Sequence, residues 1–297
     1  MNSDPRVSLF RAIPATLGEG AMWHPARQSL FWIDIPGRKI FETTLAGAST
    51  HTRPVDQLIG AVAPTADGGL VAMLQDGVHR FDLETGRTTA FVHPAGHDAT
   101  TVRFNDAKCD PQGRLWAGTM AIDESAGRGA LYRIDPDGSC RRMRSDVSVS
   151  NGLAWSPDHR TLYYIDSPTR TVQAFDYDAA TGEISRPRVA IDTSTVPGYP
   201  DGCTIDNEGN LWVAHWEGWC VSRWDPVRAR LLDTLRVPVS QVTTCTFGGP
   251  ALDTLFITTA GNRLSDAERS AQPEAGFMFA ANVGARGFPT DVFGQRA

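Results

Sequence analysis

The chain has 297 residues, of which 41% are hydrophobic and 21% charged, and its formal net charge is −6. This composition indicates a globular protein with a sizeable core, and without a long basic run we expect no nucleic-acid partner. No apolar run approaches the length of a membrane span, and the N-terminal stretch lacks the basic and apolar regions of a secretory signal. Five cysteines without paired spacing favour free thiols. We therefore expect a cytoplasmic protein with no membrane partner.

Six segments along the chain share one pattern, in which a small polar turn precedes a strand opened by leucine. They are QSLFWIDI, GGLVAML, GRLWAGTM, RTLYYID, GNLWVAHW and DTLFITT, with Leu30, Leu70, Leu115, Leu162, Leu211 and Leu255 as the leucines. These leucines are 40 to 49 residues apart, and a period near 45 in an all-β pattern is typical of propeller blades. The sequence predicts an all-β fold, a six-bladed β-propeller, as a single domain over residues 1–297. The segment VSLFRAI at residues 7–13 is left over and predicts a strand that closes the ring with the last blade.

A second repeated position lies ten or eleven residues before each of these leucines, where the innermost strand of each blade is expected. The residues at this offset are Glu19, Gly60, Asn105, Asn151, Asp201 and Thr244. Because innermost strands surround the central channel of a propeller, side chains in equivalent positions converge on its axis. Two carboxylates and two carboxamides in one place suit one divalent cation, with Ca²⁺, Mg²⁺ or Mn²⁺ favoured by the oxygen ligands and Zn²⁺ left open.

Simpler roles exist for the same residues. Taken singly, the NG at Asn151 and the DG at Asp201 are typical of turns. Their common position relative to the repeated leucines favours a role as metal ligands instead. Arg103 lies two residues before Asn105, and it either pairs with Asp201 or Glu19 or holds a substrate oxygen. The G-x-S-x-G, P-loop and G-x-G-x-x-G motifs are absent, which argues against serine hydrolases, nucleotide triphosphatases and dinucleotide enzymes.

Several motifs together resemble one known family. The segments LGEGAMWHP, RFNDAKCDPQGRLWAGTM, SNGLAWSPDHRTLYYIDSPTRTVQAFDYD, YPDGCTIDNEGNLWVAHW, CTFGG and QPEAGFMF look like the senescence marker protein, gluconolactonase and luciferin-regenerating family. The resemblance runs from about residue 15 to residue 281. It implies a six-bladed propeller that holds one divalent metal in its channel and hydrolyses sugar lactones.

The resemblance also implies roles for individual residues. The metal-binding residues of the family match Glu19, Asn151 and Asp201, and its substrate-binding arginine and asparagine match Arg103 and Asn105 in RFND. Many members carry a substrate-facing glutamate after GTM, and here Asp123 in GTMAID is the nearest equivalent.

The expected function is hydrolysis of a small-molecule sugar lactone, 1,4- or 1,5-, to the aldonic acid. Asp201 is the candidate general base, because a carboxylate near the attacking water can take its proton. Two alternatives remain open at this stage. One is another metal-dependent esterase or phosphotriesterase, since a scaffold and a metal do not specify the ester. The other is a propeller that binds calcium without catalysis.

Overall fold

The computed structural model describes residues 3–45 and 49–294. Within these residues, 24 β-strands form six antiparallel four-stranded sheets. The innermost strands of consecutive sheets pack against one another, and the sixth packs against the first. The sheets therefore form a closed ring around a channel, and the predicted six-bladed β-propeller is confirmed.

Each blade is described from its innermost strand outwards. Blade 1 contains β2 (Gly18–His24), β3 (Ser29–Asp34), β4 (Lys39–Thr44) and β5 (Thr50–Pro54), and blade 2 contains β6 (Ile59–Pro64), β7 (Leu70–Leu74), β8 (Gly77–Phe81) and β9 (Thr88–Val92). Blade 3 contains β10 (Val102–Cys109), β11 (Leu115–Ala121), β12 (Gly129–Ile134) and β13 (Cys140–Val147), and blade 4 contains β14 (Ser150–Trp155), β15 (Thr161–Asp166), β16 (Thr171–Asp178) and β17 (Glu183–Asp192). Blade 5 contains β18 (Tyr199–Ile205), β19 (Leu211–Trp216), β20 (Cys220–Asp225) and β21 (Arg230–Arg236), and blade 6 contains β22 (Val242–Gly248), β23 (Thr254–Thr259), β24 (Met278–Asn282) and β1 (Val7–Arg11).

The repeated leucines lie where the blades pack most tightly. Each is the first or second residue of the second strand of its blade, and each is at most 1% exposed. Full burial of a leucine side chain stabilises the fold by about 1.5–3 kcal/mol, so the repeat marks one conserved packing layer between neighbouring blades. The outermost strands, such as β13 and β17, expose most of their side chains instead.

The first and the last strand of the described residues pair in blade 6. Strand β1 pairs antiparallel with β24, with Val7 opposite Ala281 and Leu9 opposite Phe279. The predicted closing strand is thus confirmed for residues 7–11, and residues 12 and 13 lie beyond it. The ring is closed by hydrogen bonds between the first and the last strand of the chain.

Helical structure is scarce in the described residues. It comprises α1 (Asp266–Ala271), which begins with a capping box between Ser265 and Glu268, and a short 3₁₀ turn at Ser167–Thr169. Neither helix, nor any other in the described part of the chain, is long and apolar enough to cross a membrane. All five cysteines are free thiols, as the sequence led us to expect.

A buried aspartate secures the turn between the first two strands of blade 5. Asp206 is fully buried, and its Oδ2 accepts hydrogen bonds from Trp212 Nε1 (3.0 Å) and from Arg223 Nε (2.9 Å). Its Oδ1 accepts from the backbone N–H groups of Glu208 (3.1 Å) and Asn210 (2.9 Å). The carboxylate therefore joins the turn to two neighbouring strands.

Replacing Asp206 with Ala is expected to lower the free energy of unfolding by about 3 kcal/mol, because it leaves the buried indole N–H of Trp212 without its acceptor and Arg223 with Glu208 as its one remaining ion-pair partner among the described residues. Urea unfolding measures the change. Asp225→Ala in the same blade is the control, since Asp225 pairs with the exposed Arg228 and accepts from two backbone N–H groups of an exposed turn but binds no buried side chain, and its loss should cost about 1 kcal/mol. Equal losses in the two variants would contradict a special role for Asp206.

Candidate active site

The six inner strands share a β-bulge at one level of the channel. The regular pairing with the second strand breaks after Glu19, Ile59, Phe104, Ser150, Pro200 and Val242. A bulge leaves residues outside the ladder and turns their side chains away from it. Asn105, Asn151 and Asp201 are unpaired bulge residues, and Glu19 borders the bulge of blade 1. All four predicted polar positions thus lie at the same level.

Neighbouring inner strands approach closely at this level, and glycines make the approach feasible. A Cβ atom on Gly202 would lie 2.1 Å from Thr244 Oγ1, and one on Gly60 would lie 2.4 Å from the carbonyl oxygen of Asn105. A Cβ atom on Gly152 would lie 2.9 Å from the carbonyl oxygen of Asp201. These contacts are too short for any side chain. The glycines next to the polar residues therefore fix the narrow spacing of the site.

Four of the polar side chains form a continuous hydrogen-bonded chain. Arg103 Nη1 donates to Asn105 Oδ1 (2.6 Å), and Asn105 Nδ2 donates to Asn151 Oδ1 (2.9 Å) and to the carbonyl oxygen of Ser150 (2.8 Å). Asn151 Nδ2 donates to Ser167 Oγ (2.8 Å). Arg103, Asn105 and Asn151, which the sequence predicts as site residues, are therefore brought into direct contact.

Three carboxylic acids share the channel with them. Burial and the nearby charge of Asp106 raise the pKa of Glu19 to about 8, and burial followed by Glu19 and Asp106 raises the pKa of Asp201 well above its usual value. Burial also raises the pKa of Asp106, against the opposing charge of Lys108. Burial lowers the pKa of Arg103 to about 10, and Glu19, Glu124 and Asp201 oppose that change. The acids are close enough to disfavour one another's charged forms.

These residues fit a hard divalent cation. Carboxylate and amide oxygens are the ligands that such ions prefer, and a cation between Glu19 and Asp201 would relieve the repulsion that raises their pKa values. In the described residues, no group of three or more His, Cys, Asp or Glu side chains could hold a metal ion. The set of Glu19, Asn151 and Asp201 has only two acids because its third member is an amide, and its assignment as a metal site stays a prediction.

The remaining predicted residue, Asp123, lies at the rim and not in the channel. It is exposed, and its Oδ1 accepts hydrogen bonds from the backbone N–H (3.0 Å) and the hydroxyl (2.7 Å) of Ser125. The next residue, Glu124, forms a two-pronged ion pair with Arg263, with 3.1 Å between Arg263 Nη1 and Glu124 Oε2. Glu124 follows a strand of blade 3 and Arg263 a strand of blade 6, which are opposite in the ring. This ion pair therefore crosses the mouth above Arg103.

A C-terminal segment lies at the other end of the channel. A cavity of about 310 Å³ extends from the residues just beyond the site, such as Gly20 and Asp106, to residues 288–291. Hydrogen bonds anchor this C-terminal segment on both sides, from Asn207 N to the Arg286 carbonyl oxygen and from Phe293 N to the Pro64 carbonyl oxygen, each 2.8 Å long.

Some residues of this region were not singled out from the sequence. Asp106 directly follows Asn105, and in a regular strand two consecutive side chains lie on opposite faces of the sheet. Asp106 could therefore be predicted as a channel residue only if the bulge in this strand were known. Glu124 has a left-handed backbone with φ of 61°. The sequence GTMAIDE contains no glycine or asparagine at this position that would predict such a turn. Ser167 follows the strand YYID without any motif of its own.

Comparisons with known proteins agree with this architecture. Residues 17–261 match the SMP-30/Gluconolactonase/LRE-like family. YvrE of Bacillus subtilis, named for a proposed sugar lactone lactonase activity, is 36% identical over 275 residues, which cover 92% of this chain and 94% of YvrE.

Two solved structures are also similar. The calcium-binding protein regucalcin from Agrobacterium tumefaciens is 28% identical, with a TM-score of 0.92 and coverage of 97% of both chains. The gluconolactonase XC5397 from Xanthomonas campestris is 25% identical, with a TM-score of 0.73 and coverage of 93% of this chain and 89% of that one. Since the family match spans most of the sequence and YvrE aligns over nearly its whole length, the chain belongs to the SMP-30/gluconolactonase/LRE-like family.

Proposed function

We propose that the protein hydrolyses a sugar lactone, an aldono-1,4- or 1,5-lactone, to the aldonic acid in carbohydrate catabolism. One divalent cation, Ca²⁺, Mg²⁺, Mn²⁺ or Zn²⁺, is the proposed cofactor, held by Glu19, Asn151 and Asp201. The observation that carries the proposal is the convergence of these oxygen ligands with Arg103 and Asn105 at one level of the channel. The names of the Xanthomonas and Agrobacterium relatives support a lactone substrate and a divalent cation, respectively.

The reaction needs charge stabilisation and a base. A lactone is a cyclic ester, and its carbonyl oxygen gains negative charge when water attacks the carbonyl carbon. A divalent cation bound at Glu19, Asn151 and Asp201 would supply a Lewis acid that stabilises this charge. Asp201 takes a proton from the attacking water, in a buried environment that favours its protonated form. It then returns the proton to the ring oxygen as the C–O bond breaks.

The substrate is oriented by polar groups around the base. The hydrogen bonds that Arg103 makes to the described residues use Nη1 alone, which leaves the other guanidinium donors for ring and hydroxyl oxygens of the sugar. Both N–H groups of Asn105 are already used, so its Oδ1 serves as an acceptor for a sugar hydroxyl. At the rim, Asp123 and the adjacent Glu124 are acceptors for the outer hydroxyl groups.

A panel of aldonolactones followed by proton release tests the proposal, with blanks that correct for spontaneous hydrolysis. We expect turnover of 1,4- or 1,5-aldonolactones that disappears after treatment with a chelator and returns when a divalent ion is added. Hydrolysis of phosphotriesters or of lactones without hydroxyl groups, but not of aldonolactones, would indicate another esterase. A protein that binds Ca²⁺ and hydrolyses none of these compounds would be a calcium-binding propeller without catalysis.

We place this reaction in the cytoplasm. All five thiols are free and that of Cys140 is exposed, which is typical of a reducing compartment.

A further inference from the structure

We propose that Ser167 is a positioning residue that helps to hold the side-chain amide of Asn151 in the orientation, selected by Asn105, in which its oxygen faces the divalent cation. The inference rests on the proposed metal site and adds to it a residue outside the ligand set. Its basis is the hydrogen bond from Asn151 Nδ2 to Ser167 Oγ, 2.8 Å long and buried. An asparagine ligand works in only one of its two amide orientations, because its nitrogen carries hydrogens and cannot bind a cation.

The direction of the hydrogen-bonded chain follows from its two fixed ends. Arg103 has donors only, so the atom of Asn105 that it contacts at 2.6 Å is the oxygen. The carbonyl oxygen of Ser150 is an acceptor only, so the atom of Asn105 that it contacts at 2.8 Å is the nitrogen. That nitrogen donates to Asn151, whose contacting atom is therefore its oxygen. The nitrogen of Asn151 is left facing Ser167.

This arrangement leaves the oxygen of Asn151 ready for a cation. An amide oxygen has two lone pairs, and the bond from Asn105 Nδ2 occupies one of them. The second lone pair is available to a metal ion between Glu19 and Asp201. If the amide turned over, its N–H₂ group would face the N–H₂ group of Asn105, two donors would meet, and no oxygen would point to the ion.

Ser167 is placed by the fold of blade 4 and not by a ligand. It opens the short 3₁₀ turn after β15 and is 8% exposed. Its backbone N–H donates to the carbonyl oxygen of Val149 (3.1 Å), and its own carbonyl oxygen accepts from the backbone N–H of Arg170 (3.1 Å). The preceding Asp166 accepts from the backbone N–H of Val149 (2.8 Å). The hydroxyl therefore occupies a fixed position beside Asn151 before any cation binds.

Removal of the hydroxyl leaves a buried amide N–H without an acceptor, and such a group seeks another partner. Rotation of the amide then competes with the orientation that cation binding needs. Partners that orient a metal ligand typically change metal affinity by about 10- to 100-fold when they are removed. We expect Ser167→Ala to fall within this range.

The test is titration of wild type and variants with Mn²⁺, whose electron paramagnetic resonance signal reports the free ion directly. The Kd of Ser167→Ala should rise about 10- to 100-fold. The matched control is Ser156→Ala, which removes another 8% exposed serine hydroxyl of blade 4. Ser156 Oγ bonds to Asp158 and to the backbone of Thr161 and does not contact Asn151, so its loss should change the Kd by no more than about twofold. Thermal unfolding of both variants with chelator present shows whether they are folded.

A second pair of variants distinguishes loss of the amide orientation from a general disturbance of the site. In Asn151→Asp both terminal atoms are oxygens, so rotation of the group no longer removes a ligand. Adding Ser167→Ala to this background should therefore change the Kd by about twofold at most. An equal loss in both backgrounds, or wild-type affinity in Ser167→Ala alone, would overturn the role of Ser167. A wild-type protein that binds no Mn²⁺ would overturn the metal site itself, and the role of Ser167 with it.

Discussion

Asp201→Asn is expected to lower kcat by a factor of about 10² to 10⁴, the usual contribution of a general base. Asparagine keeps an oxygen that can face the cation but cannot take a proton from water. The variant should therefore retain part of its metal while it loses most of its turnover. Because Asp201 is proposed to serve both the cation and the water, kcat and metal content must be measured on the same sample.

Asp123→Asn is the matched control, since it makes the same substitution at an exposed acid of the rim. It should leave kcat near the wild-type value and act mainly on KM, as expected of a group that contributes to binding and not to the chemical step. Near wild-type turnover by a metal-loaded Asp201→Asn enzyme would remove Asp201 from the role of base and leave it as a ligand alone.

Glu19→Gln should have opposite effects on cation affinity and on the stability of the metal-free protein. Loss of one ligand charge should weaken the affinity by about tenfold or more, which corresponds to about 1.4 kcal/mol. In the metal-free protein, the pKa of Glu19 is raised from 4.5 to about 8. The folded state thus holds this proton more tightly than the unfolded state does, and stability is lost as the pH rises from about 4.5 to about 8. Glutamine has no proton to lose and removes this penalty.

Two measurements check this prediction. Calorimetric titration with the activating ion gives the affinity, and thermal unfolding in the presence of chelator at pH 5 and pH 8 gives the stability. Chelated Glu19→Gln should unfold at a higher temperature than chelated wild type at pH 8, with a smaller difference at pH 5. Unchanged affinity together with unchanged stability would exclude Glu19 from the ligand set.

The fold could be predicted because each blade repeats a local pattern. A leucine that opens the second strand is buried in the same way in every blade, so six copies of one signal reveal six copies of one packing arrangement. The closing strand was predictable for a related reason. Residues 7–13 form an apolar strand pattern without partners nearby in sequence, and such a strand must pair elsewhere.

Only those site residues that occupy the repeated position of the inner strands could be predicted from the sequence. The shared offset selects Glu19, Asn151 and Asp201 together with Asn105, and the resemblance to the family implies which of them bind a metal. Asp106 was missed, because the bulge in β10 places two consecutive residues outside the regular alternation of the strand. Bulges depend on how neighbouring inner strands pack, and the sequence of one strand does not reveal this packing.

The two acidic segments of YPDGCTIDNEGNLW, one inside β18 and one in the turn after it, show the same limit. Both contain an aspartate near a glycine, yet Asp201 lies in the channel, whereas Asp206 binds the side chains of Trp212 and Arg223. The pattern DNEG correctly indicates a hairpin. The partner Arg223 lies on a different strand, so no local rule could have assigned it.

The pairing of β1 with β24 has a consequence for how the chain is made. Strands of blades 1 to 5 are consecutive, so each of these blades can assemble as it leaves the ribosome, at about 5–20 residues per second. Strand β1 precedes the other described strands, but its partner, residues 278–282, follows all of them. For most of the synthesis, the nascent ring therefore has an unpaired first strand and an incomplete sixth blade, both of which expose edges that invite wrong pairing. Docking of β1 onto β24 is the step that closes the ring, and mutations in Val7–Arg11 should reduce the yield of folded protein in cells before they affect the chemistry of the channel.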